Sequence, residues 1–309
     1  MGLAKGAAKV LCKEAYRKPF KGRILTLGRQ DIWFTYPLLE NIAREFGVEL
    51  NNHTPITLSH KPEFQAKQYI SDDCLFKALG FSECKSLDFS DYESADYIFD
   101  LNCPDLPRHL AEAFDVIIDG GTIEHVFHLP NALHNIYKML SQEGRIIHIA
   151  PSSNYIDHGF YMFSPILFWD FYSVNKFEIN NFQVFRHTER AHIDPWEMSE
   201  YQSGWLNSKS FGGLDDGMYS IVCIATKSKN STGEVIPQQG NFSYLWKGKD
   251  NQNALSKASF SADRRSQSDI PRRKRSLFYK LLRPLSPIIC FLAHRICSKG
   301  LGLRVEDRY

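Results

Sequence analysis

No two of the seven cysteines (Cys12, Cys74, Cys84, Cys103, Cys223, Cys290 and Cys297) stand at C-x-x-C spacing, and their number is odd. That excludes a cysteine-built zinc site and a disulfide framework, and no metal ligand set is read from the sequence. Free thiols fit a reducing, cytoplasmic compartment. No uncharged run approaches the roughly 20 residues that span a bilayer, and the first residues lack the apolar core of a signal peptide. There is no G-x-G-x-x-G and no G-x-x-x-x-G-K-[ST]. The usual nicotinamide-dinucleotide turn and the phosphate loop are therefore both missing.

What is present is enough apolar residue for a sizeable core. Hydrophobic residues make up 43% and charged residues 23% of 309 positions, the balance of a globular body. The net charge of +2 conceals an asymmetry. Residues 229–309 carry 16 Lys/Arg against 6 Asp/Glu, whereas residues 1–228 carry 21 against 29. An acidic body with a basic tail points the tail toward something anionic. The acidic body, with no RNA- or DNA-binding motif, argues against nucleic acid as the partner.

Strand and helix patterns alternate along the body. Helix-like spacing covers residues 4–17, 38–46, 62–79, 106–113, 129–140 and 164–173. Short buried-strand runs cover residues 21–27, 84–87, 96–99, 114–119, 145–149, 182–185 and 219–225. Such alternation predicts an α/β fold with a doubly wound, mostly parallel sheet and helices on both faces. Residues 1–20 read as an N-terminal amphipathic helix and residues 21–228 as the main domain. Residues 229–270, rich in Ser, Asn, Gln, Lys and Gly, read as a flexible linker. Residues 271–309 read as a basic and apolar extension opening on Arg272, Arg273, Lys274 and Arg275.

The most telling stretch is Phe114 to Val126. A buried run ends in Asp119, followed by Gly120, Gly121, Thr122, Ile123, Glu124 and His125. Open α/β sheets bind ligands just past the carboxyl ends of such strands. Together with the next strand at residues 145–149, this resembles the fourth and fifth strands of class I S-adenosylmethionine-dependent methyltransferases. The resemblance covers about residues 20–228 and implies seven strands, the last antiparallel. It also implies S-adenosylmethionine as cofactor. By the same resemblance Gly28 ends the first strand against the cofactor's amino-acid end, although Arg29 and Gln30 stand where further glycines are usual. Asp88 would accept from the ribose hydroxyls, Asp100 and Leu101 would meet the adenine, and Asp119 and Gly120 would border the pocket. Residues 48–80 read as an insertion covering it.

Methyl transfer to a hydroxyl needs alignment and a proton acceptor, and histidine suits the second task near neutral pH. His125, His128 and His158 lie in the loops after the fourth and fifth strands and are the catalytic candidates. Residues 186–217 form a long connection whose Trp196 and Trp205 suggest a lid over the acceptor. The acceptor expected is a small molecule, sugar or lipid-linked glycan. The basic tail beside apolar residues suggests peripheral contact with an anionic membrane. The competing reading is a non-catalytic scaffold, or membrane-docked binding protein, on the same fold.

Overall fold

The computed structural model describes residues 2–240 together with Asp307 and Arg308. The expected tail from residue 271, with its membrane contact, falls outside the described residues apart from that pair. So does most of the expected linker.

The sheet is built around two strands with apolar middles, β2 (Arg23–Leu27) and β6 (Phe114–Asp119). Ile24, Leu25, Leu27, Val116, Ile117 and Ile118 are buried on both faces. Such two-sided burial belongs to a central parallel strand, and each side chain contributes about 1.5–3 kcal/mol through removal from water. Outward from β2 lie β4 (Glu83–Asp88) and β5 (Tyr97–Ile98), both parallel to their neighbours. On the other side β6 pairs in parallel with β7 (Leu140–Ser153). Next comes β10 (Met218–Thr226), antiparallel to both β7 and β8 (Glu178–His187). The seven expected strands thus run 5-4-2-6-7-10-8, with the last in sequence inserted antiparallel between its two neighbours.

Two more strands widen the sheet at the β8 edge. They are β9 (Glu197–Glu200), antiparallel to β8, and β11 (Asp307–Arg308), antiparallel to β9. A separate pair joins β1 (Gly2–Leu3) to β3 (Asp31–Ile32). The helices are α1 (Lys5–Arg17), α2 (Tyr36–Glu45), α3 (Pro62–Gln65), α4 (Asp72–Ala78), α5 (Leu129–Met139) and α6 (Pro165–Val174).

Four expectations change. The N-terminal helix, read apart from the main domain, packs into it: Ala7, Ala8, Val10, Leu11 and Cys12 belong to the main core cluster. Residues 62–79 are two short helices, because Gln68 takes a left-handed backbone (φ 57°) between them. The helix expected at residues 106–113 is only a 3₁₀ turn, Arg108–Leu110, just after Pro107. The first residues of the expected linker are ordered: Thr232 N–H donates to Asn175 O at 2.9 Å, and Val235 N–H donates to the Asn175 side-chain oxygen at 3.0 Å.

Candidate active site

A cleft of about 550 Å³ opens at the carboxyl ends of β2, β4, β5 and β6. Sites for small molecules commonly enclose roughly 300–1,000 Å³. Its wall includes Gly28, Asp88, Asp100, Leu101 and His125, which the sequence reading placed at the site. It also includes Phe89, Phe99, Gly121, Thr122 and Val126.

Gly28 closes β2 with φ +68°, a region that costs other residues roughly 1–2 kcal/mol. Its N–H crosses to Leu87 O at 2.8 Å, and a Cβ there would stand 3.0 Å from Thr122 Oγ1. The missing glycines of this turn are replaced by side-chain bonding. Gln30 is buried, and its Nε2 donates to the carbonyls of Leu27 and Gly28 at 3.1 and 3.3 Å. Arg29 is held over the turn's flank, donating to Ser94 O at 3.1 Å and pairing with Asp72 at 3.5 Å.

Asp88 stands at the end of β4, its Oδ2 3.8 Å from where a Gly28 Cβ would be. Asp100 spends one oxygen on the turn, accepting from Asn102 N–H at 2.9 Å and Asn102 Nδ2 at 2.8 Å. Leu101 is 5% exposed and still lines the cleft.

Asp119 and Gly120 do not line it. Asp119 is fully buried, accepts from the N–H groups of Thr122 and Ile123 at 2.9 and 3.2 Å, and takes His148 Nδ1 at 2.7 Å. It starts the 3₁₀ turn Ile123–His125 instead of facing the cleft. Gly120 makes room for Gln30, whose Oε1 a Cβ would meet at 2.5 Å.

The three histidines separate. His125 and His158 come together, ring centroids 5.2 Å apart, on either side of Glu124. His125 Nε2 is 4.0 Å and His158 Nε2 3.7 Å from Glu124 Oε1. Glu124 is wholly buried, and burial, with Asp119 adding to it, raises its carboxyl to about 8. Burial, followed by repulsion from His158, lowers the His125 imidazole below its ordinary value, so it is neutral near pH 7. His128 caps α5 through its backbone, with its ring edge-on to Phe127 and outside this group. The aromatics Phe127 and Phe160 meet edge to face at 5.5 Å, both largely exposed.

Trp196 is a core residue, not a lid: it is 5% exposed and stacks on Phe185 at 4.1 Å. Trp205 is exposed. The insertion does reach the cleft's border, since Lys61 Nζ bridges Asp31 at 2.7 Å and the cleft residue Glu93 at 3.0 Å.

No protein-family model matches the chain, and no curated protein does. Solved structures match about 72% of the chain at low identity. One is the YcgJ protein of Bacillus subtilis, 11% identical over 72% of this chain and 98% of that one, with a TM-score of 0.37. A possible histamine N-methyltransferase of Thermotoga maritima, described as S-adenosylmethionine-dependent, is 15% identical over 72% and 89%, with a TM-score of 0.33. A 1,6-didemethyltoxoflavin-N1-methyltransferase of Burkholderia thailandensis, solved with S-adenosylhomocysteine, is 12% identical over 72% and 80%, with a TM-score of 0.36.

The described body is an α/β fold whose large, mostly parallel sheet has the seven strands, the last antiparallel, that the resemblance to class I methyltransferases implies. Those strands run 5-4-2-6-7-10-8, with a single antiparallel insertion. In an open α/β sheet the cleft described above occupies the usual ligand-binding end. Among the described residues no helix is long and apolar enough to cross a membrane.

Proposed function

We propose that the protein is an S-adenosylmethionine-dependent methyltransferase acting on a hydroxyl of a small-molecule or glycan acceptor. The observation that carries this reading is the convergence of Gly28, Asp88, Asp100 and Leu101 on one cleft at the carboxyl ends of neighbouring parallel strands.

The residues fit the cofactor. Gly28, without a side chain, leaves the backbone open to close approach. Asp88, with an acceptor-only carboxylate, suits two ribose hydroxyls. Asp100 keeps one oxygen free of the turn for an adenine amino group, and Leu101 offers an apolar flank. When bound, the cofactor supplies an electrophilic methyl group on a sulfonium. The chain's part is alignment and proton removal. Alignment of donor and nucleophile accounts for a large share of such acceleration.

His125, which borders the cleft, and His158 beside it mark the acceptor end. Either imidazole is suited to take the hydroxyl proton. The exposed Phe127 and Phe160 give an acceptor ring something to lie against. A scaffold without activity would not need two histidines grouped beside the cleft.

Native mass spectrometry of the purified protein, followed by incubation with methyl-labelled S-adenosylmethionine and a hydroxylated acceptor library, tests the reading. Co-purified S-adenosylmethionine or S-adenosylhomocysteine and label transfer to oxygen are expected. Well-folded protein that neither carries nor takes up the cofactor would favour the scaffold.

A further inference from the structure

Glu124 is fully buried, yet neither carboxylate oxygen has a hydrogen-bond partner among the described residues. A buried polar group without a partner costs about 1–3 kcal/mol, so its retention calls for something to bind. Two imidazole nitrogens face it at 3.7 and 4.0 Å, too far for hydrogen bonds. The ligating atoms of Glu124, His125 and His158 all lie within 4.8 Å of one another. Donors sharing one first-row divalent ion stand about 2.0–2.2 Å from it, which places them some 3–4 Å apart. The rings of His125 and His158 are half-exposed, which leaves them room to turn toward a shared ion.

The loop bearing His158 is already drawn onto Glu124. Tyr161 N–H donates to Glu124 O at 3.2 Å. Gly159 permits the approach, since a Cβ there would meet Glu124 O at 2.9 Å and Glu124 Cγ at 3.1 Å.

We infer that Glu124, His125 and His158 form a divalent transition-metal site at the acceptor end of the cleft. Two imidazoles with one carboxylate suit manganese, iron, cobalt, nickel or zinc better than magnesium or calcium, which favour all-oxygen shells. Three protein ligands leave coordination positions open, and His125 belongs to both the cleft wall and the ligand set. An acceptor oxygen bound there would meet the methyl donor's cleft directly. The cation acidifies that hydroxyl, and with both imidazoles occupied as ligands instead of acting as bases, its proton passes to solvent. The oxygen–carbon bond then forms as the sulfur–carbon bond breaks. This role at the acceptor rests on the methyl-transfer reading, whereas cation binding itself does not.

The test adds Mn²⁺ to the full-length protein after chelator treatment and follows it by electron paramagnetic resonance, with S-adenosylhomocysteine titrated in parallel. One Mn²⁺ per chain is expected, displaced by Zn²⁺ and showing couplings to imidazole nitrogen. Binding should weaken by at least about tenfold in both Glu124→Gln and His158→Ala, while affinity for S-adenosylhomocysteine persists. No Mn²⁺ binding at millimolar concentration, or affinity untouched by both substitutions, overturns the site. S-adenosylhomocysteine binding without Mn²⁺ defeats this inference alone. Mn²⁺ binding that follows the substitutions, without S-adenosylhomocysteine, upholds the site and defeats the methyl-transfer reading.

Discussion

At the scale of single residues, the site depends on which carboxyl groups are buried and why. Asp119 and Glu124 sit five positions apart, and both are completely buried. The first is saturated with two backbone donors and His148; the second has none. Sequence alone marks both as acids after a buried strand and does not separate the saturated one from the unpartnered one. The same holds for Gly120, whose place is fixed by Gln30, a contact between distant positions. His125 and His158 were readable as loop histidines, but their meeting around Glu124 depends on how the loop at residues 154–161 folds back. That loop uses left-handed backbone at Asn154 (φ 66°) and Asp157 (φ 62°), residue types that tolerate it.

The raised Glu124 carboxyl gives a prediction for the metal-free protein. An ordinary glutamate loses its proton near 4.5, and this one near 8. The folded state therefore holds the proton more tightly. The stability this confers is complete below pH 4.5 and is lost as pH rises to about 8. The slope is at most about 1.4 kcal/mol per pH unit. Urea unfolding between pH 5 and 8, with chelator present, should show wild type losing stability relative to Glu124→Gln. Parallel curves would mean that Glu124 ionises normally.

At the scale of elements, most strands and helices were legible because apolar runs and turn residues agree. The run at residues 114–119 is observed as β6 with those bounds, and helix α5 ends one residue short of its expected end. The misses have local causes. Strand β9 is four residues of Glu, Met, Ser and Glu, with no strand signal, and exists because β8 offers an edge. Trp196 looked like a lid residue, yet it fills the space left by Gly6, where a Cβ would fall 2.2 Å from its ring.

Helix α1 reads as an N-terminal amphipathic segment, and its Glu14 is buried and meets Arg145 of β7 at 2.5 Å. Arg145 also donates to Lys18 O at 2.8 Å and lies over the Phe20 ring at 4.7 Å. Breaking a buried pair by removing one partner typically costs 3–5 kcal/mol. Arg17 keeps a second contact to Glu14, which places Arg145→Met near the lower end, about 3 kcal/mol. Chemical denaturation measures this; a change below about 1 kcal/mol would show that the pair does not anchor α1.

At the scale of the whole molecule, the α/β class and the antiparallel seventh strand were legible from the order of elements, while the limit of the folded body was not. Composition placed a linker at residue 229, because Ser, Asn and Gly there look like coil. Yet Thr232 and Val235 bond to Asn175, itself fully buried, Ser231 Oγ donates to Lys176 O at 2.8 Å, and Gly233 lies against the Tyr137 ring. Removing residues 229–309 should destabilise by about 1–3 kcal/mol more than removing residues 241–309, through the polar groups of Asn175 left without partners. Equal stability of the two truncated chains would restore the boundary at residue 229.

The central claim is that the ends of β2, β4 and β5 form a nucleoside site gripped by Asp88. Isothermal titration of S-adenosylhomocysteine into wild type and Asp88→Ala tests it most directly. One site per chain is predicted, with affinity falling by roughly tenfold or more when the carboxylate is removed and with unchanged circular dichroism. Folded wild type that gives no heat, or an Asp88→Ala protein that binds as tightly as wild type, would contradict it.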